Sequence, residues 1–67
     1  MAGTGDILKG KWKQISGDVK QWWGDLTDDD ITKVNGQRDK LVGIIQERYG
    51  RSKAEAEREV DEFLNKY

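Results

Sequence analysis

Leu8, Trp12, Ile15, Val19, Trp22 and Leu26 follow one another at steps of 4, 3, 4, 3 and 4. Only a helix turns such spacing into one continuous face, because side chains three and four residues apart lie above one another on its surface. The alternation also keeps that face turned towards a neighbouring helix. A half-buried strand would need a period of two, and no stretch of the chain reads that way. The N-terminal part of the chain is therefore committed to helix-on-helix packing. The fold class that follows is all-α.

This predicted helix can begin at Asp6. Trp23 sits at the edge of its seam, where partial exposure is expected. Lys9, Lys13 and Lys20 flank one border, placed to lay their aliphatic stems over the indoles while the ammonium groups stay in water. Gly10, Gly17 and Gly24 recur at intervals of seven on the opposite face. Each interior glycine costs roughly 1 kcal/mol relative to Ala, so the helix is weak by itself. Two readings of the glycines stay open. They form a groove where another backbone approaches closely, an interaction surface with Trp23 at its margin, or they are solvent-facing residues in a helix held by its other side.

Thr27 then precedes Asp28, Asp29 and Asp30. Thr27 is a good N-cap, Asp30 stands at the third helical position of a capping box, and carboxylates suit the positive end of a helix dipole. This second helix is short, carries Ile31 and Val34, and is expected to end at Asn35-Gly36, although the apolar period could run on. A central helix follows from Gln37 to Tyr49, with Gly50 suited to close it. Leu41, Val42, Ile45 and Tyr49 share one face and Ile44 lies off it, so the apolar arc is wide enough to meet neighbours on more than one side. Ser52 with Glu55 is a second capping box. It opens a last helix with Ala56, Val60, Phe63, Leu64 and Tyr67 on its apolar face. The predicted core is Trp12, Ile15, Val19, Trp22, Leu26, Leu41, Val42, Ile45, Tyr49, Val60, Phe63 and Leu64. Residues 1–5 read as a disordered leader, and no linker divides residues 6–67.

Composition limits the chemistry. With neither Cys nor His among its 67 residues, the chain has no disulfide, no ordinary zinc site and no catalytic triad. A core of this size rarely supplies more than ~3–5 kcal/mol of net stability. Asp28, Asp29 and Asp30 point about 100° apart on a helix, so they do not converge on one metal ion. Gly5, Gly10 and Lys11 match the spacing of a phosphate-binding loop, but Trp12 stands where such a loop needs Ser or Thr, and no strand precedes it. We read that match as chance. No cofactor is implied.

Lys and Arg number 12 against 13 for Asp and Glu, a near cancellation that argues against a dedicated nucleic-acid binder. Trp12, Trp22 and Trp23 beside lysines suit stacking on single-stranded nucleic acid or a membrane surface. Most of these indoles belong to a seam that must face the core, and Asp6, Asp18 and Asp25 share the helix. No apolar run approaches the ~20 residues of a membrane span, and no secretory signal opens the chain, so a cytoplasmic protein is expected. Charged residues at 37% keep a hydrophilin-like protectant, partly disordered, as an alternative.

The segments Gly10-Lys-Trp-Lys-Gln14, Trp23-Gly-Asp-Leu-Thr-Asp-Asp-Asp30, Leu41-Val-Gly43 and Ile45-Gln-Glu-Arg-Tyr-Gly50 resemble the CsbD-like family of small bacterial proteins. The likeness continues through Ala54-Glu-Ala-Glu57 and Glu59-Val60, and covers nearly all the chain from about Leu8. The doubled Trp22-Trp23 and the glycine-rich leader are local departures. The resemblance implies a bacterial general-stress protein with no known catalytic activity. It also implies a small four-helix domain similar to SAM-type domains, two helical hairpins packed at a steep angle. It carries no catalytic, cofactor or metal residues to transfer. Beside it, our leading reading is a protein that acts through an unidentified protein partner or self-association.

Overall fold

The computed structural model of the chain describes residues 8–66. The expected leader, the start at Asp6 and the contribution of Tyr67 lie outside the described residues. Four helices lie within them: α1 (Trp12–Trp22), α2 (Asp28–Val34), α3 (Arg38–Tyr49) and α4 (Lys53–Leu64). A helical turn at residues 8–10 precedes α1, and no strand occurs among the described residues.

The break before α1 departs from the uninterrupted helix that the seam predicts. Lys11 leaves the helical region with φ −116° and ψ 21°, and its carbonyl accepts from the amides of Gln14 and Ile15. Two neighbours explain the break. Gly10 holds helical geometry weakly, and the turn at Asn35-Gly36 presses into the chain here. A Cβ added to Gly36 would stand 3.0 Å from the Lys9 Cα and 3.4 Å from the Trp12 Cβ. Gly36 also has φ +77°, so only glycine satisfies both the turn and the close approach.

The other end of α1 also corrects the sequence reading, which places Trp22 inside and Trp23 at the margin. In the structure Trp23 is 2% exposed and Trp22 45% exposed. The helix stops at Trp22, and Trp23 turns out of helical geometry at φ −119° and ψ 84° while its N–H still bonds the Val19 carbonyl. Side-chain directions stepped at 100° per residue do not extend past that point. Leu26 is buried from the α1–α2 link rather than from the seam. It precedes Thr27, with Ile31 at the fourth position of α2, the spacing of a hydrophobic staple.

The helices start and stop by local chemistry. The Asp30 N–H donates to Thr27 Oγ1 and the Thr27 N–H to Asp30 Oδ2, both at 3.1 Å. The Glu55 N–H donates to Ser52 Oγ at 3.2 Å and the Ser52 N–H to Glu55 Oε1 at 3.0 Å. Asn35, at φ 47°, ends α2 in the left-handed region, and Gly50, at φ 64°, ends α3 likewise.

α3 and α4 pack most closely of the helix pairs, and α2 comes next to α3. The α3–α4 pair is antiparallel: Arg38 at the start of α3 reaches Asp61 near the end of α4 at 2.9 Å. Ile15, Val19, Val34, Leu41, Ile45, Val60 and Phe63 are fully buried between the four helices, joined by Leu8. Val42, Ala56 and Leu64 complete the centre, and Trp12, Ile31, Ile44 and Tyr49 are half-buried against it. Trp12 and Tyr49 thus border the core, and Trp22 stands outside it.

Candidate interaction surface

The buried acidic residue, Asp30, comes first because burial of a charge asks for a reason. It is 3% exposed, and Arg48 of α3 grips it with both Nε and a terminal nitrogen at 2.9 Å. The Thr27 amide adds a third hydrogen bond. The Arg48 guanidinium and that amide hold the carboxyl down to about 2 against the opposing effect of burial. A carboxylate so engaged ties the start of α2 to the end of α3. Asp28 pairs with Lys20 of α1. No cluster of three potential metal ligands occurs among the described residues. Arg48 carries no local signal in the sequence, since its partner is 18 residues away.

The two adjacent indoles divide between packing and display. Trp23 Nε1 donates to Glu59 Oε1 at 3.0 Å, and its ring tilts against Phe63 with centroids 5.2 Å apart. Trp22 meets the same Phe63 edge-on at 5.6 Å, with the Lys66 ammonium 4.9 Å from its ring centroid. The cation over this indole therefore comes from the end of the chain, while Lys20 of α1 is engaged with Asp28. Trp22 is the exposed large apolar side chain among the described residues. The surface role expected of Trp23 falls instead to its neighbour.

The glycine stripe is also altered. Gly17 lies within α1, but Gly10 precedes the break at Lys11 and Gly24 follows the helix end, so the three do not share one uninterrupted helix. A Cβ at any of them would meet nothing within 4 Å. All three face open space.

The break before α1 opens a cleft that the sequence reading misses. Lys9, Gly10, Lys11, Trp12, Lys13, Gln14 and Asn35 line a depression of about 680 Å³. Its shape depends on Gly36, which brings the α2–α3 turn against residues 8–12. A shallower groove of about 470 Å³ lies between Lys33, Lys40, Gly43, Ile44 and Glu47 on the outer side of α2 and α3.

Comparison with known proteins agrees with the pattern of segments. The chain is 63% identical over 55 residues to the UPF0337 protein YjbJ of Escherichia coli K12, covering 82% of this chain and 80% of that one. It is 54% identical over 61 residues to a UPF0337 protein of Pseudomonas aeruginosa, covering 91% and 94% of the two chains. A Bordetella pertussis UPF0337 protein is 52% identical over 61 residues, covering 91% and 92%. The family model described as CsbD-like matches residues 6–58, the stretch holding α1, α2, α3 and the first half of α4. With helices, caps and relatives in agreement, the chain belongs to the CsbD-like family.

Proposed function

We propose that the chain is a non-enzymatic bacterial general-stress protein, cytoplasmic, that works through contacts between its surface and another protein. The stress assignment rests on what the CsbD-like resemblance implies. The contact mode rests on Trp22. An indole held at 45% exposure by Phe63 and Lys66 presents apolar surface to water, and tryptophan is enriched where interfaces concentrate their binding energy. The engagement of Asp30 by Arg48 and Thr27 supports the non-enzymatic part, because the most perturbed carboxylate serves packing. The core of buried apolar residues favours a folded chain over a disordered protectant. The same resemblance carries the finer fold reading of two hairpins at a steep angle, and the α3–α4 pair supports one of the two.

The test is crosslinking and pull-down from stressed bacteria with the wild-type chain and Trp22→Ala. Circular dichroism should show both folded. The wild type should enrich a defined partner that Trp22→Ala loses. Equal enrichment by both proteins would remove Trp22 from the function.

A further inference from the structure

Near cancellation of charge over the whole chain argues against nucleic-acid binding, but the structure distributes that charge unevenly. Lys20, Arg38, Arg48 and Arg51 are paired with carboxylates. Residues 8–17 contain three lysines and no carboxylate, and Lys9, Lys11 and Lys13 all line the cleft before α1. No ion pair to a described carboxylate engages these three. Trp12, half-buried, forms part of the cleft wall, and the amides of Gln14 and Asn35 lie on its rim. The local surplus is +3 on a chain whose net charge is −1.

We propose that this cleft binds single-stranded nucleic acid, its lysines on consecutive phosphates and the Trp12 ring against a base. The dimensions agree. Five residues, helical apart from the turn at Lys11, span upwards of roughly 6 Å, and three successive phosphates of a stacked strand span about 7 Å. Base stacking on an aromatic ring is tolerant of sequence. A recessed indole suits an unpaired base, which can enter a concavity, whereas a duplex presents its bases edge-on inside its grooves. A membrane surface would instead favour a projecting indole, and the projecting one is Trp22, outside this cleft. The cleft and the Trp22 corner share no residue, so either proposal can fail alone.

The experiment titrates the full-length protein into a fluorescein-labelled single-stranded oligonucleotide and follows anisotropy from 50 to 200 mM KCl. Parallel titrations use the same sequence as a duplex and phosphatidylglycerol-containing vesicles. Three phosphate contacts give a slope of about −2 in log affinity against log salt, so fourfold more salt should weaken binding roughly 18-fold. Lys9→Gln, Lys11→Gln and Lys13→Gln should each reduce that slope by about 0.7, while Lys53→Gln on α4 should leave it unchanged. Amide shifts on binding should concentrate at residues 9–14 and Asn35, with the Trp12 indole N–H moving more than that of Trp23. These substitutions are on exposed side chains, and circular dichroism checks that each variant folds. Absence of binding at 50 mM salt overturns the proposal. So does binding that survives loss of all three lysines, or duplex or vesicle binding as tight as the single strand's.

Discussion

Replacing Trp23 and Trp22 in turn by alanine tests the placement of two adjacent, chemically identical side chains. Trp23 is buried to 2% exposure, packs on Phe63 and donates to Glu59. Truncating a buried indole costs ~3–5 kcal/mol, and the lost hydrogen bond adds about 1 kcal/mol. Glu59 retains Arg51, so its charge is not orphaned. Trp22 is 45% exposed, so roughly half of the burial term is at stake, ~1.5–2.5 kcal/mol including its edge-on contact with Phe63.

Against a total stability of at most ~3–5 kcal/mol, the two outcomes separate. Trp23→Ala should be largely unfolded in plain buffer, and Trp22→Ala should fold and melt at lower urea. Far-UV circular dichroism across a urea series measures both. Trp23→Phe, which keeps an aromatic ring against Phe63, guards against a variant too unstable to titrate and should fall between them. A loss at Trp22 equal to or greater than that at Trp23 would refute the burial assignment and, with it, the end of α1 at Trp22.

Two glycines should respond in opposite senses. Gly17→Ala meets open space within a helix and should stabilise by ~0.4–1 kcal/mol, whereas Gly36→Ala combines φ +77° with a 3.0 Å approach to backbone and should cost at least ~1–3 kcal/mol, both read from urea midpoints. Acid should weaken the Asp30–Arg48 clasp: the Asp30 pKa is lowered from 3.8 to about 2, so its contribution is complete above the unfolded value and is lost as pH falls from about 4 towards 2. That shift corresponds to about 2 kcal/mol, and the difference in stability between wild type and Asp30→Asn should shrink over this interval. Parallel profiles would show that the pairing is not formed in solution.

Features set by neighbours along the chain were legible in the sequence. Thr27 with Asp30 and Ser52 with Glu55 announce their helix starts because each box closes over three residues, and Asn35-Gly36 and Gly50 announce stops because they accept left-handed geometry. The apolar periods give Ile15, Val19, Leu41 and Ile45 to the interior for the same reason. The failures occur where a distant segment decides. Trp22 and Trp23 exchange places because Phe63 and Glu59 receive the indole that leaves the helix, a contact 36 residues away. The break at Lys11 forms where Gly36 presses on residues 8–12, and Arg48 finds Asp30 across the interior. The lysine cleft was hidden by averaging: a whole-chain charge count does not register which cations are already paired.

The manner in which α1 is fastened bears on how the molecule opens. α3 and α4 are joined by a short turn and run with closely approaching backbones, while α1 makes few close backbone approaches and is held by the buried side chains of Ile15 and Val19, by Trp23 at its end and by the Gly36 notch. Native proteins open in cooperative pieces, and the piece with the sparsest anchorage opens at the lowest free energy. Bringing Trp23 to Glu59 closes a loop of 36 residues, with a chain-entropy cost that the α3–α4 hairpin avoids. Amide hydrogens of α1 should therefore exchange with solvent before those of α3 and α4. The least anchored helix carries the exposed indole at one end and the lysine cleft at the other, so its undocking alters both surfaces in a single step.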